Sequence, residues 1–261
     1  MKIGFIGLGN MGSAIATAVA KLEKHDLLLS NHNPGKAVSL QEVIGGQLMT
    51  NADIASQAEV IFLGVKPHLI GKALTDLADA IAVNPQAIWI SMVAGLTLAD
   101  LQEYLPADNL IRIMPNTPVA IGQGMTTYAV EKPQLAPLVE DLLAASGVVA
   151  QVPEDQIDAA TAIAGCGPAF VYVFIDALMQ AGIQNGLSAD LAKKLAAQTL
   201  LGSAQLVLES GIHPAQLRDQ VTSPGGSTIA GLVALEEHNF RYATLSGVNQ
   251  ALAKTRTLGK K

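Results

Sequence analysis

The segment GLGNMG, Gly7 to Gly12, constrains what this chain can fold into more than any other stretch of its 261 residues. It follows the apolar run IGFI and precedes a segment in which Met11, Ile15, Ala18, Val19 and Leu22 recur at helical spacing. The glycines therefore sit at a strand-to-helix turn. In a G-x-G-x-x-G turn Gly7 permits the tight bend, Gly9 lets backbone approach a pyrophosphate, and Gly12 allows close packing of helix on strand. The helix start adds free N–H donors and the positive end of a dipole. A tight turn without a ligand would also use glycines, but the order strand, glycines, helix favours a dinucleotide site.

Short β-branched runs then alternate with helix-length segments: LLLS, VIFLGV followed by Pro67 to Ala80, AIWIS and LIRIM. That alternation predicts a parallel, doubly wound α/β sheet with helices on both faces. After Val152 it stops, and Ala- and Leu-rich helical patterns run over Pro168 to Ala181, Ser188 to Glu209 and Phe240 to Leu258. The expected division is an α/β dinucleotide-binding domain over residues 1–152 and an all-α domain over 153–261. Helices such as Leu187 to Leu208 are apolar on more than one face, and in a small domain a second subunit is the expected cover.

Composition narrows the partners. Half the residues are apolar and the net charge is −6, which gives no general attraction to nucleic acid or to an anionic membrane. The single cysteine, Cys166, excludes an intrachain disulfide, and the five histidines show no metal-ligand spacing, so no metal is expected. The opening MKIGFIGLGN reaches its glycine turn too soon for a secretory signal, and a cytoplasmic location is the expectation. The most apolar later stretch, Ala169 to Ile183, is interrupted by Asp176 and falls short of the roughly 20 residues that cross a bilayer. It reads as a buried helix rather than a membrane span.

The segment after the second strand bears on which dinucleotide binds. An NAD site places Asp or Glu about 20 residues beyond the glycines, to accept from the ribose 2′-hydroxyl. Here LLLSNHNPGK offers Ser30, Asn31, His32, Asn33 and Lys36 and no acid. NADPH is therefore favoured, with NADH as the alternative; a turn merely solvated by these polar groups fits too. In VKPHLI, Pro67 suits a first helical position and Lys66 falls at the carboxyl edge of the sheet, where ligands bind, although a solvated surface charge fits equally.

A second glycine turn, SPGGST, spans Ser223 to Thr228 ahead of a helix with Ile229, Leu232, Val233 and Leu235 on one side. Ser227 or Thr228 acting as an ordinary N-cap is one reading. The other is an anion-binding nest of successive N–H groups. Because Gly7 to Gly12 already serve the cofactor's phosphates, the nest would be free for a substrate carboxylate.

These segments together are specific. LRDQVTSPGGSTIAGLVALEE resembles the signature of the pyrroline-5-carboxylate reductases, and FIGLGNMGSAI, GVKPHLI, SMVAGLTL, IRIMPNTPVAIGQGMT, GCGPAFVYVFIDAL and GIHPAQLRDQVTSPGG are similar to that family's segments in order. The resemblance implies NADPH- or NADH-dependent reduction of the cyclic imine 1-pyrroline-5-carboxylate to L-proline, the last step of proline synthesis. It also implies a Rossmann-like domain followed by a helical dimerisation domain, with homodimers assembled as a ring of five dimers. Its cofactor contacts fall on Ile6, Gly7, Leu8, Gly9, Asn10 and Met11, on Asn33 and Asn51, on Val65, Lys66 and Pro67, and on Met92, Val93 and Ala94. Its substrate contacts fall on Gly226, Ser227, the backbone and catalytic hydroxyl of Thr228, and Glu154, which could instead simply open a helix. The resemblance assigns no role to the MPNTP run or to GCGP, and Gln220 replaces an Asn found in some members.

A protonated imine needs little acid-base machinery, so catalysis rests on holding the nicotinamide against the ring carbon. Two other readings compete. GLGNMG also resembles the opening of 3-hydroxyacid dehydrogenases, but Lys193 and Lys194 lie in LAKKLAAQ without the flanking glycines those enzymes carry. A non-catalytic NADP-binding scaffold would have no use for the second nest.

Overall fold

The computed structural model describes residues 1–258. Eight strands form one sheet: β1 (Lys2–Ile6), β2 (Asp26–Ser30), β3 (Gln47–Leu48), β4 (Val60–Leu63), β5 (Ile88–Ser91), β6 (Leu110–Met114), β7 (Gly124–Val130) and β8 (Gly147–Gln151). Their order is β3-β2-β1-β4-β5-β6-β7-β8. Helices α1 (Asn10–Ala20), α2 (Pro34–Ile44), α3 (Asn51–Gln57), α4 (Ile70–Thr75), α5 (Ala78–Ala82), α6 (Leu98–Gln102), α7 (Ala136–Leu143) and α8 (Ile157–Ala160) connect or flank these strands.

Strand alternation divides the apolar side chains between two cores. Val60 and Phe62 of β4 join Ile15 of α1, Ala37 of α2 and Leu142 of α7 on one face. Ile61 and Leu63 join Ile54 of α3, Leu74 of α4, Ile81 of α5 and Leu101 of α6 on the other. The chain runs outward from β1 to β2 and β3, then restarts on the opposite side of β1 with β4. That reversal makes a crevice beyond the carboxyl ends of β1 and β4, where ligands bind in such sheets.

The expected all-parallel sheet needs one correction. β6 and β7 pair antiparallel, and β8 pairs parallel to β7, so the last two strands run against the other six. The connection over residues 115–123 contains only the 3₁₀ turn Thr117–Ile121. A parallel crossover requires a dozen or more residues. The single helix expected over Pro67 to Ala80 is likewise divided, into a 3₁₀ turn at Pro67–Leu69 followed by α4 and α5.

Two compact units emerge, Met1–Cys166 with the chain from Gln250 onward, and Gly167–Asn249. The expected boundary at 152/153 follows the last strand, but the chain beyond it first returns to the sheet: Ile157 is buried in the core that holds Trp89 and Leu110. Residues 259–261 of the expected second domain lie outside the described residues.

The second unit comprises α9 (Gly167–Gln184), α10 (Ala189–Ser210), α11 (Pro214–Gln220), α12 (Ser227–Glu237) and most of α13 (Phe240–Thr255). α9 and α10 approach so closely that a Cβ on Gly182 would lie 3.0 Å from Cβ of Ala192. Ser188 caps α10 by accepting from Leu191 N. Yet Tyr172, Val173, Leu201, Leu208 and Tyr242 are exposed on the single chain. The continuous helical stretch Glu154–Gln184 contains an 18-residue window of mean hydropathy 1.7 and is long and apolar enough by length and composition to cross a membrane. This corrects the buried helix expected at Ala169 to Ile183: helix extends beyond that stretch at both ends, and on the single chain its apolar window is only 6 % buried.

Candidate active site

In the first unit the crevice is built by glycines meeting back to back. Gly7 has φ +101°, and a Cβ there would lie 2.6 Å from the carbonyl oxygen of Gly64, the residue that follows β4. Only glycine fits both demands. A Cβ on Gly12 would collide with the carbonyl of Gly7, so helix α1 can start this close to β1 only without one. Gly9, by contrast, has open space where its Cβ would be. It is also the N-cap of α1 and brings no side-chain hydrogen bond to the helix start. An uncapped helix start beside an open glycine fits a pyrophosphate. Gly64 was missed by sequence reasoning; the G of FLGVKPH was its signal.

Hydrogen bonds fix the turn. Leu8 N donates to Asn31 Oδ1 at 3.0 Å, and Asn31 Nδ2 donates to Asn33 O at 3.0 Å. Asn33 caps α2, its Oδ1 accepting from Gly35 N at 3.1 Å. An open cleft of about 580 Å³ lies between these loops, bordered by Gly9, Asn10, Asn33, Lys36 and Ser39. Ile6 and Leu8 are buried, so in this turn they offer a ligand only backbone.

The other expected cofactor residues lie after β3, β4 and β5. Asn51 is the first residue of α3. Val65, Lys66 and Pro67 follow β4, with Lys66 exposed at the head of the 3₁₀ turn. Met92, Val93 and Ala94 follow β5; the Met92 Cε lies 3.2 Å from where Gly64 would carry a Cβ. Val93 is buried and its N–H donates to Ser91 Oγ at 3.2 Å.

Glu154, expected against substrate, is tied into a buried network that the sequence did not reveal. Arg112 on β6 is only 2 % exposed, and its Nη1 reaches Glu154 Oε1 at 3.0 Å while Nη2 reaches Asp158 Oδ1 at 2.7 Å. Leu98 N, at the start of α6, also donates to Glu154 Oε1 at 3.0 Å. Glu154 Oε2 is buried and has no hydrogen-bond partner among the described residues. The α6 start carries a capping box between Thr97 and Asp100, whose hydrogen bonds hold the Asp100 carboxyl below its ordinary pKa. The network thus joins β6, α6 and the chain leaving β8.

The MPNTP and GCGP runs also gain a role. Residues Thr161–Gly165 form a π-helical turn, with Cys166 N bonding Thr161 O at 3.0 Å. Asn116 of MPNTP donates from Nδ2 to Ala164 O at 3.0 Å and accepts from Met125 N at 2.9 Å. One asparagine therefore anchors both β7 and the turn that leads into Pro168.

In the second unit, SPGGST resolves between its two readings. The N-cap of α12 is Gly226, with no side-chain cap hydrogen bond, and Ser227 and Thr228 are already helical. Neither is an ordinary N-cap. Gly225 takes φ +69°, and Gly226 N turns back onto Ser223 O at 3.1 Å. Ser227 and Thr228 are exposed at this uncapped helix start, a geometry that suits an anion. Gln220 ends α11.

The crevice defines a dinucleotide-binding sheet, and similarity to known proteins places the chain among NADP-dependent oxidoreductases. A sequence profile for NADP oxidoreductase coenzyme F420-dependent matches residues 2–95, and one for pyrroline-5-carboxylate reductase dimerisation matches residues 154–258. The pyrroline-5-carboxylate reductase of Synechocystis is 38 % identical, covering 100 % of this chain and 99 % of its own. The structure of Plasmodium falciparum pyrroline carboxylate reductase with NADP bound has a TM-score of 0.87 at 34 % identity, over 100 % of this chain and 98 % of that one. The Streptococcus pyogenes 1-pyrroline-5-carboxylate reductase has a TM-score of 0.89 at 34 % identity over 98 % of both chains. The chain belongs to the pyrroline-5-carboxylate reductase family. Its second unit, which carries the exposed apolar residues of α9 and α10, falls within the dimerisation region.

Proposed function

We propose that the chain reduces 1-pyrroline-5-carboxylate to L-proline with NADPH, as the final step of proline synthesis. The observation that carries this reading is the uncapped start of α12 after Gly225 and Gly226, in a chain that belongs to this family along its whole length. When bound, NADPH supplies the hydride. Gly7 to Met11 would hold its pyrophosphate, Asn33 and Asn51 its adenosine half, and the backbone at Val65 to Pro67 and Met92 to Ala94 its nicotinamide half.

The amides of Ser227 and Thr228 would bind the substrate carboxylate, the Gly226 amide expected beside them being committed to Ser223 O instead, and the Thr228 hydroxyl would bind the ring nitrogen, which fixes the ring's orientation. The imine enters protonated, so its nitrogen already holds the proton that proline keeps. No side chain then needs to act as an acid. Glu154 completes the residues proposed against substrate; its Oε1 is committed to Arg112 and Leu98, and its Oε2 is buried and would meet a substrate only once uncovered.

Five dimers forming a ring, a cytoplasmic location and no association with a membrane complete the proposal. The match to a dimerisation region supports subunit contact rather than lipid as the cover of the Glu154–Gln184 helix. Sedimentation without detergent reads this directly: a decamer is expected, and a species soluble only in detergent contradicts it. The activity is tested by NADPH absorbance with synthetic pyrroline-5-carboxylate. Steady consumption with matching proline formation is expected; cofactor binding without consumption would support a scaffold, and oxidation of 3-hydroxyisobutyrate a hydroxyacid dehydrogenase.

A further inference from the structure

We propose that Lys36 is the residue that selects NADPH over NADH, by placing its ammonium against the 2′-phosphate in the cleft beside Gly9. The inference rests on the reading of Gly7 to Gly12 as the pyrophosphate turn. Lys36 belongs to one stripe of α2: residues 36, 39, 40 and 43 all border the cleft, at the helical spacing i, i+3, i+4, i+7. Lys36 is exposed on that stripe beside the cleft, so it can reach the ligand space from solvent.

The other polar groups of the loop are already engaged. Asn31 spends its Oδ1 on Leu8 N and its Nδ2 on Asn33 O. Asn33 spends its Oδ1 on Gly35 N, which leaves its Nδ2 as a donor. No acid occupies Ser30 to Asn33 or the first turn of α2, so a ribose 2′-hydroxyl meets no carboxylate. Among the described residues Lys36 makes no ion pair, and it stands in the first turn of α2, where the helix dipole also favours an anion. Ser39, one turn on, offers a hydroxyl to the same phosphate. The recognised group is a phosphate monoester on a ribose, and Lys36 is its one cationic side chain in the cleft.

The test uses the full chain, with Lys36→Met to keep the stem and remove the charge, and Lys36→Arg to restore it. The NADPH-to-NADH ratio of kcat/KM should fall about two- to fivefold in Lys36→Met and recover in Lys36→Arg, since a charge-assisted contact at an exposed site is lost. Added salt should erode the wild-type ratio more than that of Lys36→Met. An unchanged ratio overturns the proposal, as does an equal fall with both cofactors. Calorimetry provides a readout free of turnover: wild type should bind 2′,5′-ADP more tightly than 5′-AMP, with inorganic phosphate a weak competitor, and Lys36→Met should lose most of that preference. If the preference follows Lys36 while the imine is never reduced, this assignment stands and the reaction reading fails. If neither nucleotide is preferred by wild type, Lys36 is not the selector.

Discussion

Replacing Arg112 by Met tests the network that holds Glu154. The guanidinium is 2 % exposed and bonds two carboxylates, at 3.0 and 2.7 Å, whose side chains are 31 % and 24 % exposed. At about 3 Å and an effective dielectric near 20, each pair carries roughly 5 kcal/mol of attraction before desolvation. Desolvation of the buried guanidinium cancels much of this. What decides the mutant's stability is the pair of carboxylates left behind. Removing one partner of a buried pair costs about 3–5 kcal/mol, and because Glu154 and Asp158 are partly exposed and can regain water, the lower end applies. We expect a loss of about 3 kcal/mol, read as a fall in Tm of about 6–12 °C or as a shift in urea midpoint at unchanged slope. Adding Glu154→Gln and Asp158→Asn to the same chain should recover part of the loss, since no uncompensated charge then remains. A loss below about 1 kcal/mol would place the pairs among weak, solvent-screened bridges and refute the reasoning.

Thr228→Ala should lower kcat by roughly ten- to a hundredfold, the equivalent of one charge-assisted hydrogen bond, while NADPH binding measured by fluorescence titration stays at the wild-type value; an effect on turnover below threefold would not fit. Gly7→Ala should abolish cofactor binding in the same titration, because φ +101° and the Gly64 carbonyl at 2.6 Å exclude a Cβ. Burial and a hydrogen bond to Glu140 push the Tyr128 pKa up to about 12 from an ordinary value of 10. Its neutral form is thus favoured in the fold, so its contribution is fully present below about pH 10 and is lost as pH rises through about 12, a difference of about 2–3 kcal/mol. Urea unfolding across that window should show the loss in wild type and not in Tyr128→Phe.

What the sequence disclosed was local. The apolar run IGFI, its glycines and the helical spacing of Ile15 and Val19 are contiguous signals, and they gave the βα turn with its correct strand. SPGGST was equally legible, down to the helix start, although only coordinates separated a glycine cap from a serine or threonine one. Pairings across long sequence separations were not legible. Nothing near Arg112 announces that Glu154 and Asp158 will close on it, and a buried arginine on a strand reads the same as a misplaced surface residue. Asn116 and the π-helical turn at Thr161–Gly165 were hidden for the same reason: the bond from Asn116 to the turn's Ala164 carbonyl spans 48 residues. The reversal of β7 was readable in principle from the shortness of residues 115–123, but alternation of strand and helix patterns does not encode direction.

Diffraction from crystals grown with both NADP⁺ and L-proline measures the main assignment most directly. Density for the proline carboxylate within hydrogen-bonding reach of the Ser227 and Thr228 amides, with the pyrophosphate on Gly9 and Asn10, is the expected result. Proline bound elsewhere, with the start of α12 holding only water, would contradict it.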